Sequence, residues 1–350
     1  MKAIVWTAYG GPDVLVLREV EKPVPRDGEV LIRVRATTVS AGDAELRGLK
    51  ISPMFRILFR GYVGIDRPRR MTILGQELAG EVESVGGSVT RFKPGDPVFG
   101  TPGIRLGGYA EYACMPARGA LAVKPDGVSY EQAATIPVGA VEALEFLQRA
   151  EVRAGERILI NGAGGCIGTY AVQLAKNAGA QVTAVDSTPK LEMLRRIGAD
   201  RVIDFTREDF TRRAERYDIV FDVIGAAPFS GVVRSLETGG RFLVGNPKPA
   251  HRRGRRWAER SGRVKVFTWS ASHSEGNLGR LAGMVAAGEL RPVIDRVFPF
   301  EQTAEAHRYA ESGEKKGHIV IVMFSLLIFF GLVSQIAADV SRLLIYRRGF

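Results

Sequence analysis

Up to about residue 122 the apolar positions fall in short β-branched runs, such as 29–34 and 80–85, cut by Gly and Pro at turn spacing. That half is predicted to be mostly β. From Tyr130 the period changes: a helix-like stretch to Ala150 leads into a strand at 157–160, then glycines, then a helix over about 169–178. Strands predicted at 181–185, 201–204, 218–223 and 240–244 alternate with helical segments, the pattern of a parallel sheet covered by helices. The fold class expected is therefore α/β, a β-rich domain followed by a doubly wound one.

The apolar run ILINGAGGCIG, residues 158–168, places a glycine-rich turn between a strand and a helix. Its register is Ala163-x-Gly165-x-x-Gly168, with further glycines at Gly162 and Gly164, a variant of the dinucleotide-binding fingerprint. Small residues let a pyrophosphate approach bare backbone. The free N–H groups of Cys166, Ile167 and Gly168 at the helix start then meet its charge. Asp186, 18 residues beyond Gly168, ends the next strand and suits the ribose hydroxyls of NADH. Ser187, Thr188 and Lys190 follow it directly and suit the 2′-phosphate of NADPH instead. The sequence leaves that choice open.

At 350 residues the chain has room for two domains. Its 49 Lys and Arg against 38 Asp and Glu give +11, which attracts anions of every kind, from nucleotides to acidic lipid and nucleic acid. Two cysteines, Cys114 and Cys166, exclude a disulfide scaffold and a four-cysteine zinc site. The N-terminus alternates like a strand and has no long apolar run, so a mature cytoplasmic protein is expected.

The stretches VSAGDAELRG, ILGQELAGEVESVG, RFKPGDPVFG, AATIPVGAVEAL, NGAGGCIGTYAVQLAK, IGADRVIDF and RPVIDRVFPFEQTAEAHRYAESGEKKGHIVIV occur in this order. Together they resemble the medium-chain dehydrogenase/reductase superfamily, in its zinc-free quinone oxidoreductase branch, over residues 1 to about 322. The resemblance implies a GroES-like β domain at 1–122, completed by 296–322, and a Rossmann NAD(P)-binding domain at 123–295. Its cleft lies between them. Zinc alcohol dehydrogenases of the superfamily carry Cys and His where this chain has Ser40 and Gln76. A hydroxyl and an amide are poor zinc ligands, so no metal is expected. His251, His273, His307 and His318 read as surface or packing residues.

Without a Lewis acid, simple alcohols become poor substrates, whereas a quinone or enone spreads incoming charge over its own conjugated system. The cleft candidates are Ser40, Asp43 and Arg47. By resemblance Val223 to Gly225, with Val244, Gly245 and Asn246, end strands beside the cofactor; Lys315 and Lys316 could reach phosphate, with solvated surface lysines the ordinary alternative. The family has Thr where Glu142 stands, at the nicotinamide carboxamide. A carboxylate there is larger and costly to bury unpaired, which puts full activity in doubt.

Two segments fall outside the pattern. The arginine-crowded stretch 248–263 is read as a solvated loop over the cofactor domain, with nucleic acid an unfavoured partner. Residues 323–350 form an apolar and then amphipathic tail. Its 16 uncharged residues, 323–338, reach roughly 24 Å as a helix, short of a roughly 30 Å hydrocarbon core. Peripheral attachment to a membrane surface is expected of it, with docking on the protein's own surface or on a dimer partner the alternative. The function expected is a zinc-independent NADPH- or NADH-dependent oxidoreductase transferring hydride to a small-molecule quinone or other conjugated carbonyl, and a homodimer is common among proteins resembling it. The rival is a non-catalytic NAD(P)H-binding protein with a partner- or membrane-binding role, and Glu142 is its main support.

Overall fold

The computed structural model describes residues 1–268 and 274–323. The tail segment 324–350 and His273 lie outside the described residues, and so do the expectations attached to them. Among the described residues no helix is long and apolar enough to cross a membrane.

Six strands form an all-parallel sheet in the spatial order Arg201–Asp204, Gln181–Asp186, Arg157–Asn161, Tyr217–Asp222, Leu236–Val244 and Val264–Thr268. Counted along the chain that order is 3-2-1-4-5-6, the doubly wound Rossmann arrangement. Alternate side chains explain why the strands are continuously apolar. Ile158, Ile160, Ile219, Phe221 and Leu243 enter one core, while Leu159, Val220, Phe242 and Val244 enter another on the opposite face.

The β domain is built around the long strand Glu29–Val39, which pairs antiparallel with Leu78–Val85, Tyr112–Pro116 and His318–Val322. The last of these pairs in parallel with Ile294–Pro299, so the chain returns to this sheet after leaving the Rossmann core. The expected α/β class, a GroES-like β domain with a parallel-sheet Rossmann domain, is borne out. Val39 pairs with Ile319, and the chain therefore leaves its strand at Ser40 on the edge where His318 begins.

Three local expectations are corrected. The helix after the glycine turn is Cys166–Asn177, starting three residues earlier than the periodicity suggested, because the small residues themselves form its first turn. The arginine tract is a crossover helix, Pro249–Ser261, joining the last two strands of the parallel sheet. Among its described side chains His251 and Ala258 are buried, packed with Phe242, and so thin an apolar face gave little helical signal. The helix expected over 130–150 is split into Tyr130–Ala134, a wide π turn Ile136–Ala140, and Val141–Arg149. Pro137 supplies no N–H to a regular helix, which opens the turn.

Phe221 is fully buried at the centre of the parallel sheet, its ring 4.9 Å from that of Phe146. Phe221→Ala is expected to cost about 3–5 kcal/mol, read as a lower midpoint of thermal unfolding beside the parent chain. An unchanged midpoint would contradict this packing.

Candidate active site

The glycine turn has no slack. Gly162 has φ of +80°, a conformation that favours glycine. A Cβ on Gly168 would stand 2.3 Å from the Gly162 carbonyl oxygen. Gly165 is the N-cap of the helix and offers no side chain to its first turn. The orphan N–H groups at Cys166, Ile167 and Gly168 are therefore left for an anion.

The neighbouring strand ends are cinched by buried Asp222, which accepts from Asn161 Nδ2 at 2.9 Å and from the backbone N–H groups of Gly225 and Ala227 at 3.0 and 2.9 Å. A Cβ on Gly225, whose φ is +66°, would lie 2.0 Å from the Asn246 carbonyl oxygen. One on Gly245 would lie 2.7 Å from that of Val223. Val223, Gly225, Val244, Gly245 and Asn246 thus share one backbone-lined rim beside Gly162. These residues fit a dinucleotide, since a cradle of close backbone with open helical N–H groups suits a pyrophosphate.

Asp186 is 5% exposed and accepts from the N–H groups of Gly164 and Ser187, each at 2.8 Å. Lys190 Nζ lies 3.1 Å from its Oδ1. The carboxylate therefore holds the glycine turn and is paired with a lysine, and Ser187 contributes its backbone N–H to it. Thr188 donates its hydroxyl to Asp204 at the end of the next strand.

On the β-domain side, Ser40 caps the helix Ala41–Arg47. Its hydroxyl donates to Asp43 Oδ2 at 2.7 Å and accepts from Gln76 Nε2 at 3.2 Å. Asp43 is fully buried, and Gly75 N–H donates to its other oxygen at 3.2 Å. Burial raises its pKa, and the hydrogen bonds from Ser40 and Gly75 oppose the shift. Arg47 turns away from Ser40 and reaches Glu311 Oε2 at 2.6 Å, tying its helix to Thr303–Glu311. Ser40 and Gln76 are thus together, Asp43 supports them, and Arg47 stands apart.

The sequence reading missed a buried polar node where the two domains meet. Glu77, beside Gln76 and 1% exposed, accepts from the Thr38 hydroxyl at 2.7 Å and from Val138 N–H at 2.8 Å. Burial pushes its pKa up to about 7 although the charge of His318 works against that shift. His318, read as a packing histidine, is fully buried, and its electrostatic partners are Cys166 and Glu77. Lys315 Nζ lies 3.0 Å from Cys166 Sγ, and Gly317 N–H donates to the Gly164 carbonyl at 2.8 Å. Lys316 instead uses its backbone N–H on Asp295. An acid directly after Gln76 and a histidine opening a strand were the only signals, and neither had a spacing to flag it.

Glu142 stands at the start of Val141–Arg149, largely buried. Burial first, then the like charges of Cys166 and Glu145, raise its pKa to about 7. His307 is a packing residue: it meets the Tyr109 hydroxyl at 3.1 Å, and burial beside Arg47 lowers its pKa to about 3. A surface cavity of about 330 Å³ lined by Arg149, Glu156, Asp218, Gly240 and Lys265 sits at the strands' N-terminal ends. That is the wrong edge of the sheet for a dinucleotide. Among the described residues no three His, Cys, Asp or Glu side chains are grouped to hold a metal ion.

A Rossmann sheet joined to a GroES-like sheet, with a glycine cradle where they meet, defines a two-domain dinucleotide-binding oxidoreductase fold. Residues 26–126 match the alcohol dehydrogenase GroES-like domain, and residues 197–321 match the zinc-binding dehydrogenase family. The chain is 33% identical over 336 residues to an NADPH-dependent alkenal/one oxidoreductase of Arabidopsis thaliana, covering 92% of this chain and 79% of that one. It is 31% identical over 322 residues to a quinone oxidoreductase of Sus scrofa, covering 88% and 93%. The structure of the quinone oxidoreductase from Coxiella burnetii superposes with a TM-score of 0.83 at 28% identity, covering 93% and 99%. The chain belongs to the medium-chain dehydrogenase/reductase superfamily, in its quinone oxidoreductase branch.

Gly168→Ala is expected to weaken NAD(P)H binding by roughly tenfold or more, about 1.4 kcal/mol, because the new Cβ displaces the turn. Fluorescence titration of the reduced cofactor checks it, and unaltered affinity would remove the turn from the cofactor site. The folded pKa of Glu142 lies above its unfolded one, so the native state holds an extra proton between about pH 4.5 and 7. Stability then falls as pH rises through that window, by up to ~3 kcal/mol at roughly 1.4 kcal/mol per pH decade. Thermal unfolding at pH 5 and pH 8 should show a smaller difference for Glu142→Gln than for the parent. An equal difference would place Glu142 in solvent.

Proposed function

We propose that this chain is a zinc-independent, NAD(P)H-dependent oxidoreductase that reduces a quinone or another conjugated carbonyl. The observation that carries the reading is the Ser40–Gln76 pair, a hydroxyl and an amide hydrogen-bonded to each other at 3.2 Å beside the interdomain cleft. Ser40 gives its one proton to Asp43, which leaves the second N–H of Gln76 Nε2 to donate to a carbonyl oxygen, and neither side chain offers a soft donor to a zinc ion. A nicotinamide dinucleotide, when bound on the glycine turn, would supply the hydride. The chain's own groups hold the dinucleotide on the glycine turn and orient the acceptor through Gln76, which is fixed through Ser40 and, behind it, Asp43. Positioning two flat π systems face to face accounts for much of the rate, and solvent completes the proton transfer.

NADPH is the cofactor this reading favours. The Asp186 carboxylate is already engaged by backbone and by Lys190, which lessens its repulsion of a 2′-phosphate. The Arabidopsis relative is NADPH-dependent by name. A cytoplasmic setting, a homodimer and peripheral membrane contact through residues 323–350 belong to the same proposal and rest on the sequence alone.

Cofactor oxidation measured with a panel of quinones, enones and simple alcohols tests the reading, with NADPH and NADH run in parallel. Turnover is expected with the conjugated acceptors, faster with NADPH, and unchanged by chelators. Glu142→Thr should raise it by restoring a neutral hydroxyl. Stoichiometric zinc whose removal abolishes activity would overturn the metal-free chemistry. Cofactor binding without turnover of any acceptor would favour the non-catalytic reading.

A further inference from the structure

Cys166 is the first residue of the helix that opens the cofactor cradle, and it is partly exposed. Its sulfur sits in a built environment. Lys315 Nζ approaches to 3.0 Å, and the thiol lies 3.4 Å from the Gly317 carbonyl oxygen. His318 is fully buried, neither of its ring nitrogens has a hydrogen-bond partner among the described residues, and the charge it faces is that of Cys166. Gly139 leaves the space for that approach: a Cβ there would stand 2.9 Å from His318 Nε2 and 3.1 Å from the Cys166 carbonyl oxygen. Two basic side chains from one turn of the β domain thus converge on a single thiol of the Rossmann domain. The hydride-transfer reading uses none of the three for chemistry.

We propose that Cys166 is an electrophile-capture site, at which an α,β-unsaturated carbonyl entering the cofactor-free cleft is bound covalently and dinucleotide binding is thereby blocked. The choice of electrophile rests on the enone reading above, but the capture itself requires no turnover. The sulfur attacks the β-carbon and an S–C bond forms. The π pair of the C=C bond moves to the α-carbon, which takes the proton held by His318. Sulfur and hydrogen end on the two former alkene carbons, so no oxidant or reductant is consumed.

Burial works against a thiolate here, yet the charges of His318 and Lys315 and the Lys315 hydrogen bond outweigh it and hold the thiol down at about 5. The N-terminal end of the helix adds to the same effect. Cys114 provides an internal contrast. It lies half-buried in the strand Tyr112–Pro116, where burial and then Glu29 push its thiol up to about 11. Blocking follows from covalent proximity, because a group attached to Sγ stands a few bonds from the Cys166 N–H that the cradle offers to pyrophosphate.

The test uses the full chain without cofactor, treated with methyl vinyl ketone at pH 7, with adducts located by peptide mass spectrometry. Cys166 is expected to react roughly tenfold or more faster than Cys114, and Lys315→Met is expected to slow it and raise the pH at which it reacts. Saturating NADP⁺, which cannot reduce the enone, should protect Cys166, and the adducted protein should no longer bind NADPH by fluorescence. Equal labelling of both cysteines, no labelling of Cys166, or an adduct that binds NADPH normally would each overturn the proposal. Because the readouts are mass and binding, a protein that captures the enone yet never reduces it would refute the proposed function and leave this inference standing. The reverse result would do the opposite.

Discussion

One buried carboxylate sets the floor of the cleft. Glu77 takes a hydroxyl hydrogen bond from Thr38 in the central strand of the β domain and an N–H from Val138 in the wide turn of the other domain. A buried acid left without such partners would cost several kcal/mol, so the two domains meet where both donors reach it. The wide turn makes this work, since Pro137 breaks the regular ladder and leaves Val138 N–H aimed outward. Gly139, next in the chain, then lets His318 and the start of the cofactor helix close to contact. The relative placement of Ser40, Gln76 and Cys166 follows from that one junction.

The cradle itself is made of backbone, and its rigidity comes from behind. Asp222 and Asn161 lock two adjacent strand ends together, and Asp186 with Lys190 locks the third. A surface of this kind recognises a dinucleotide by shape and by oriented N–H groups, which any member of the fold can supply. In the proposed reading selectivity then falls to a short set of side chains: Lys190 on the adenosine side, with Glu142 and Gln76 toward the acceptor.

The Rossmann half was largely legible because its strands are buried on both faces and so read as uninterrupted apolar runs, as in ILIN and DIVFDV. The strand Val264–Thr268 escaped notice because Lys265 interrupts it and an arginine-rich helix precedes it. The glycine turn and its acid were legible because backbone approach imposes residue types at fixed spacing. The Glu77 node was not, since its partners come from three distant segments and nothing local marks an acid as buried. Asp43 and Arg47 show the reverse case. Their spacing suggested a shared cleft role, yet each found a separate partner, one in its own helix cap and one in a helix more than 250 residues away.

Charge balance in the cleft ties these features together. Cys166, Glu142 and Glu77 are three acidic groups facing two basic ones, Lys315 and His318. A pyrophosphate adds further negative charge at the helix start. Glu142 and Glu77 both have pKa values raised to about 7, so a proton on either is inexpensive near neutrality. Binding an anion beside them shifts that equilibrium toward the protonated acids, and by linkage proton uptake strengthens the binding. A carboxylate where the resemblance leads one to expect a threonine is therefore tolerable on physical grounds: protonated, Glu142 is neutral and presents an O–H donor beside an acceptor oxygen, the same two capacities a threonine hydroxyl offers.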